Sequence, residues 1–157
     1  MQMNNETTPL NGYVHIRAWE KQPDGSEKLV KDDTIKNLVV TVGKDAILRY
    51  ISNQSGGGYA DDIGVGDSTT AAAVGQTDLQ GSSNVLWKTV ATADRVFITP
   101  TVYLSVEFGY DEANFVWNEM GLRDSQGTPV LWARQIDASP LTKSTSKRAI
   151  VEWQLSM

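Results

Sequence analysis

The side chains of this protein that could carry out chemistry are few, because its 157 residues include one histidine and no cysteine. His15 could act as a general base or form a pH-sensitive pair with an aspartate. A Ser-His-Asp triad also needs a nucleophile held in a special turn, and the sequence has no G-x-S-x-G motif. The lack of cysteine excludes disulfides, zinc–thiolate sites, iron–sulfur clusters and thiol nucleophiles. We therefore expect His15 to lie at a surface or an interface.

Two groups of acidic residues could hold a metal ion or hydrolyse a substrate. Oxygen-rich loops can bind calcium, and a glycine-rich region carries the aspartates Asp61, Asp62, Asp67 and Asp78. Their spacing matches no EF-hand loop, and aspartate in such regions is typical of turns. A carboxylate pair could hydrolyse glycosides, for which the candidates are Asp111, Glu112 and Glu119. We predict no catalytic residue, no metal site and no cofactor. A calcium loop, and a small hydrolase that uses His15 or these last three carboxylates, are alternatives.

The aromatic residues indicate a binding surface in addition to a core, since the chain has five tryptophans and five tyrosines. Tyr13, His15 and Trp19 fall on one face of a strand-like run, because alternate residues of a strand point to the same side. We predict that these three residues and Trp132 form an interface with a partner. Aromatic rings on a sheet can also stack on sugars, so a carbohydrate-binding module that uses Trp19 and Trp132 is an alternative.

The elements that must position these residues are mostly strands. Alternating or β-branched runs predict strands at 12–20, 35–40, 85–90, 95–98, 102–108, 115–120, 129–135 and 149–155. Asp24-Gly25 predicts a hairpin that returns at 27–31. The one predicted helix covers 41–52, with Thr41 as its N-cap and an Asp45–Arg49 pair on its surface. Residues 53–84 are predicted as a loop around a short extended segment at 62–65.

Strands that do not alternate with helices predict a mainly β fold, an antiparallel β-sandwich with one covering α-helix. The length suits one domain, which we place at residues 12–157 after a flexible polar arm at 1–11. The net charge of −5 argues against nucleic acid and anionic membrane surfaces as partners. No apolar run reaches the roughly 20 residues of a membrane helix.

Three segments of the chain, taken together, match the order and spacing of a known pattern. The first is Ile63-Gly64-Val65-Gly66-Asp67-Ser68-Thr69-Thr70-Ala71, followed by Gln76-Thr77-Asp78-Leu79-Gln80. The second is Glu119-Met120-Gly121-Leu122 with Gly127, followed by Leu131-Trp132-Ala133-Arg134, and the third is Lys143 before a closing strand at 149–155. This pattern resembles structural proteins of tailed bacteriophages, of the tail-fibre or minor tail type. The resemblance covers roughly residues 37–157 and leaves the hairpin at 12–31 outside it.

This resemblance implies a non-enzymatic structural protein of a tailed-phage virion, made in the host cytoplasm and placed in the tail, baseplate or collar. The implied partners are other virion proteins and further copies of the same chain, as a trimer or hexamer. A capsid decoration protein of the same virion is an alternative. An inert, cysteine-free sandwich suits such a role, because its edge strands can be paired by symmetric assembly.

Overall fold

A computed structural model describes residues 10–55 and 58–156, and this part of the chain contains ten strands and one α-helix. The strands are β1 (Asn11–Lys21), β2 (Glu27–Lys36), β3 (Leu38–Val39), β4 (Asp62–Gly66), β5 (Val85–Thr89), β6 (Arg95–Ile98), β7 (Thr101–Phe108), β8 (Val116–Asp124), β9 (Val130–Thr142) and β10 (Lys147–Ser156). Helix α1 spans Thr41–Ile51, and a short 3-10 turn spans Thr92–Asp94.

The strands form two five-stranded sheets. Sheet I has the order β2-β1-β10-β7-β6, and sheet II has the order β3-β9-β8-β4-β5. All pairings between the described strands are antiparallel. The predicted antiparallel β-sandwich with one α-helix is therefore confirmed.

The core is filled by the strand residues that alternate towards the space between the sheets. Sheet I contributes the central residues Val14, Ile16, Ala18, Leu104, Val106, Phe108, Ala149, Val151 and Trp153, and sheet II contributes Ile63, Val65, Trp117, Met120, Leu122 and Ala133. The rings of Phe108 and Trp117 meet edge to face, with centroids 5.0 Å apart. This packing holds the two sheets together.

Helix α1 lies where it was predicted, but its first turn differs. The predicted N-cap Thr41 is wrong: Val40 occupies that position, without a side-chain cap bond. The backbone explains the difference, because Val40 N–H donates to Trp132 O on β9 and Thr41 N–H donates to Val74 O. The expected surface pair is confirmed, with Arg49 Nε 2.7 Å from Asp45 Oδ2.

Residues 35–40 were predicted as one run and instead belong to both sheets. β2 continues to Lys36 in sheet I, and β3 begins at Leu38 in sheet II. The buried Asn37 marks the crossing, where its N–H donates to Gly12 O at 2.9 Å. The predicted strands at 27–31, 115–120 and 129–135 are also longer in the structure.

The predicted N-terminal arm, 1–11, falls mainly on residues 1–9, which lie outside the described residues. Of the two that are described, Leu10 packs against the core and Asn11 is the first residue of β1. The structure therefore describes the predicted domain together with the last two residues of the predicted arm, Leu10 and Asn11.

Candidate functional site

The strands that carry the first two resemblance segments, β4, β8 and β9, lie side by side in sheet II. Gly64, Gly121 and Arg134 are opposite one another across these strands, and Gly66 is opposite Glu119. Their neighbours along β4 and β8 point into the core, so these positions face the outer side of the sheet. Motifs that are far apart in the sequence therefore form one patch.

Glu119 and Arg134 form a completely buried ion pair in this patch, with Arg134 Nε 2.6 Å from Glu119 Oε2 and both side chains 0% exposed. The remaining guanidinium nitrogens donate to Thr70 O at 2.8 Å and to Gln76 Oε1 at 3.0 Å. The carboxylate accepts the backbone N–H groups of Gln80 and Gly81, at 3.0 and 2.6 Å. We call this ion pair, with its bonds to the 67–84 loop, the loop clamp.

The loop clamp closes over two glycines that leave room for an aromatic ring. Trp87 on β5 lies across Gly64 and Gly121, and a Cβ atom on these glycines would come within 2.5 and 2.8 Å of the ring. Buried Leu79 from the loop packs against the same Gly121. The guanidinium of Arg123 lies over the Trp87 ring, 4.2 Å from the ring centre. The outer face of sheet II is thus sealed by its own loop.

Three of the four predicted interface residues share the outer face of sheet I. Tyr13, His15 and Trp19 alternate along β1, and His15 Nε2 lies 2.5 Å from Asp32 Oδ1 on β2. Trp19 is half-buried, and the guanidinium of Arg148 lies over its ring, 4.3 Å from the centre of the Trp19 ring. The structure brings these three residues to one face, and whether they contact a partner stays a prediction.

The fourth residue, Trp132, lies on the other sheet. It is half-buried on β9, where its backbone packs against Gly43 of α1, and it lines a groove of about 410 Å³. The structure does not bring it together with Tyr13 or Trp19, because they belong to different sheets. A surface formed jointly by Trp19 and Trp132 is therefore not present.

The groove beside Trp132 is bordered by an exposed apolar surface that sequence reasoning missed. Its members come from α1 and from β6, and we call them the α1–β6 apolar face: Leu48, Tyr50, Ile51 and Phe97. Val96 and Ile98 are exposed too, but they alternate with Phe97 along β6 and lie on the opposite side of sheet I. Phe97 is 70% exposed and Ile51 is 69% exposed. Among the described residues that line the groove, Lys44 is the charged one.

Comparison of the chain with protein-family models, curated proteins and solved structures found no match.

Most of the predicted acidic residues are paired with hydrogen-bond donors of the protein itself. Glu112 pairs with Lys88 at 2.6 Å and Glu119 belongs to the loop clamp, whereas Asp111 is exposed on the β7–β8 loop. The four aspartates of the glycine-rich region accept hydrogen bonds from the chain itself, Asp61 from Ser125 and Gln126, Asp62 from Thr89 and Arg123, Asp67 from Asn84 and Asp78 from Leu79. Within residues 10–55 and 58–156, no three metal-binding side chains are grouped to hold an ion.

Two charged groups near the motif strands have shifted pKa values. Burial raises the pKa of Asp124 above its ordinary 3.8, and the charges of Asp61 and Asp62 add to this rise. Burial also lowers the pKa of Lys143, whose ammonium donates to Gly109 O at 2.7 Å and Glu112 O at 3.0 Å. Lys143, the start of the third motif, thus ties down the β7–β8 loop.

A third shift occurs on sheet I. The Arg148 guanidinium and the Tyr110 hydroxyl lower the pKa of Glu27 to about 2. This group holds the β1–β2 hairpin to β10. Among the described residues, no helix is long and apolar enough to cross a membrane. Lys143 and the group around Glu27 thus hold a loop and a hairpin in place.

Proposed function

We propose that this chain is a non-enzymatic structural protein of a tailed-phage virion, located in the tail, baseplate or collar, and that it acts by associating with neighbouring virion proteins and with copies of itself. The phage assignment depends on the sequence resemblance of residues 63–80, 119–134 and 143–155. The observation that carries the proposal is the loop clamp, into which the two longest of these segments converge.

The chemistry of the loop clamp supports a structural role for the motifs. An acid catalyst needs a proton to exchange with substrate within hydrogen-bond reach. Glu119 is 0% exposed, and its oxygens are taken by Arg134 and by two backbone N–H groups. A carboxylate in this environment holds a loop against a sheet. A motif that keeps the domain in one fixed shape suits a subunit of a large assembly.

Labelled protein added to assembling phage, or labelled antibody on intact particles, tests the proposal by electron microscopy. We expect label at the tail, baseplate or collar. Label distributed over the capsid shell would favour the decoration protein instead, and a particle without label would contradict both. Hydrolase activity that is lost in His15→Ala or Glu119→Gln would contradict the non-enzymatic assignment.

A carbohydrate-binding module is the second candidate, and one observation favours it. Tyr13, Gln154 and Tyr103 lie opposite one another across β1, β10 and β7, which places two tyrosines on the open face of sheet I. Flat rows of aromatic and amide side chains suit sugar rings. A glycan array decides the matter with Tyr13→Ala and Trp19→Ala. Binding that both variants abolish would make this the function.

A further inference from the structure

The four edge strands of the sandwich differ in how they are protected. Charged residues and short length normally prevent an edge from pairing with another chain. β3 has two residues, β5 carries Lys88 in an ion pair, and β2 is largely charged, reading Glu27-Lys28-Leu29-Val30-Lys31-Asp32-Asp33-Thr34-Ile35-Lys36. Each of these edges therefore has a feature that discourages pairing.

β6 is also short, with four residues, but it carries no charged side chain directed towards its open side. It pairs only with β7 among the described strands, and its sequence after Arg95 is Val96-Phe97-Ile98. Arg95 is directed inward, since its guanidinium donates to Val90 O at 2.7 Å and lies 5.3 Å from the Tyr59 ring centre. The remaining three residues of this edge are apolar and exposed.

The exposed apolar surface on the two sides of β6, taken together, is close in area to what a stable interface requires. From their exposed fractions, the four side chains of the α1–β6 apolar face present on the order of 500 Å², and the largest apolar patch of a typical monomer is about 300–600 Å². Val96 and Ile98, on the other side of β6, add on the order of 200 Å² that an edge-to-edge contact would also cover. A standard interface buries about 800 Å² on each partner. The face is also poor in charge, as are the centres of interfaces.

We propose that the α1–β6 apolar face binds a second copy of this chain across a two-fold axis, with the two β6 strands paired antiparallel. The inference depends on the proposed assembly function and names its contact. A register that places Phe97 opposite its own copy also places Val96 opposite Ile98, so an apolar edge meets an apolar edge. The two sheets I become one ten-stranded sheet, and each α1 is brought towards the groove of the other copy.

This contact is self-complementary, which limits the assemblies it can build. It makes a dimer, and with a second kind of interface it makes a hexamer of three dimers. It cannot by itself close a trimer. Of the two states that the resemblance implies, the hexamer is therefore the one compatible with the contact.

The native mass of the full-length protein in solution tests the proposal, together with Phe97→Lys. We expect a mass of two chains or an even multiple for the wild type. Phe97→Lys places a charge at the centre of the contact and should raise the dissociation constant roughly 30-fold or more. The matched control is Leu29→Lys, on the opposite edge of sheet I, where the side chain is 46% exposed. It should leave the mass unchanged.

Disulfide trapping tests the register, and the cysteine-free chain gives a clean background. Cross-strand partners are close enough for a disulfide, so Phe97→Cys should form a covalent dimer on mild oxidation. Val96→Cys mixed with Ile98→Cys should cross-link, and Leu29→Cys should not. A wild type that stays monomeric at high concentration would overturn the proposal, as would an oligomer that Phe97→Lys does not weaken.

The outcomes also separate this contact from the proposed function. An oligomer that survives Phe97→Lys and still labels phage tails would refute the contact alone. A monomer that becomes dimeric only after removal of residues 1–9 would show that the chain's own N-terminal segment takes the place of the second copy, which refutes the proposal. Failure to label any phage particle, with the Phe97 cross-link intact, would refute the virion assignment and leave the dimer standing.

Discussion

The loop clamp gives the sharpest test of how this fold is held together, through Arg134→Met. Methionine keeps most of the side-chain volume and removes the charge, so Glu119 becomes a buried carboxylate with two backbone donors and no counter-ion. Removing one partner of a buried ion pair typically costs about 3–5 kcal/mol. Thr70 O and Gln76 Oε1 lose their donors as well, although the released loop can turn them towards water. We expect the free energy of unfolding to fall by about 3–5 kcal/mol.

Urea unfolding followed by tryptophan fluorescence measures this loss. The matched control is Arg49→Met, because Arg49 also pairs with an aspartate but is 48% exposed on α1. Exposed pairs of this kind contribute about 0.3–0.5 kcal/mol. A loss below about 1 kcal/mol in Arg134→Met would refute the reasoning. Equal losses in the two variants would refute it too.

The double variant Glu119→Leu/Arg134→Met separates the charge from the packing. Since neither charge is left unpaired, its loss should be smaller than the sum of the two single losses, by up to about 3 kcal/mol. Hydrogen exchange provides the local readout. In Arg134→Met the amides of residues 67–81 should exchange faster, while those of β10 keep their protection. Unchanged exchange in the loop would show that other contacts hold it.

Three further predictions concern single sites near the motif strands. Gly64→Ala should lower the free energy of unfolding by about 1–3 kcal/mol, because its new Cβ would meet the Trp87 ring. The control Gly75→Ala has open space around it and should not destabilise the fold. Urea unfolding compares the two variants, and equal effects would contradict this packing argument. Asp124→Asn should gain stability relative to the wild type as pH rises above 3.8, because the folded state raises this pKa and the wild type loses the stability of its protonated form on ionisation. Thermal melts across pH 3–8 check this, and a difference that stays constant with pH would refute it. Lys143→Met should lower the free energy of unfolding by about 1–3 kcal/mol, because the carbonyls that its ammonium binds lose their donor. Hydrogen exchange in the β7–β8 loop should become faster, and unaltered exchange would contradict this prediction.

The fold class could be predicted from the sequence because the strands show a local alternation of apolar and polar residues. Val102, Leu104, Val106 and Phe108 alternate with polar residues, and β7 spans Thr101–Phe108. Helix α1 was likewise visible from its apolar spacing. The turn at Asn37 was not, since residues 35–40 look uniformly extended. A change of sheet in such a run depends on tertiary packing, which local pattern does not encode.

The loop clamp could be noticed but not interpreted from the sequence. Glu119 was considered as a possible acid, and Arg134 as part of a motif. Fifteen residues separate them, and only the register of β8 against β9 shows that they meet. A usable signal was present: Arg134 follows Leu131-Trp132-Ala133, and a charge within an apolar strand needs a partner.

The α1–β6 apolar face illustrates the opposite case. The strand at 95–98 was predicted, but a sequence does not state which strand ends up at an edge. Phe97 reads as a core residue in any strand of this composition. Its 70% exposure follows from the sheet order, which leaves β6 outermost.

The antiparallel pairing of β1 with β10 decides where a reporter can be attached without disturbing assembly. Asn11 lies opposite Ser156, so the polypeptide enters and leaves the domain at one pole, next to Leu10 and Ser156 in the groove wall. A bulky group attached directly at Leu10 or Ser156 would crowd the groove. The tight turn at Asp24-Gly25 sits at the other pole, about 35 Å along β1. An epitope inserted there would leave both the groove and β6 unobstructed.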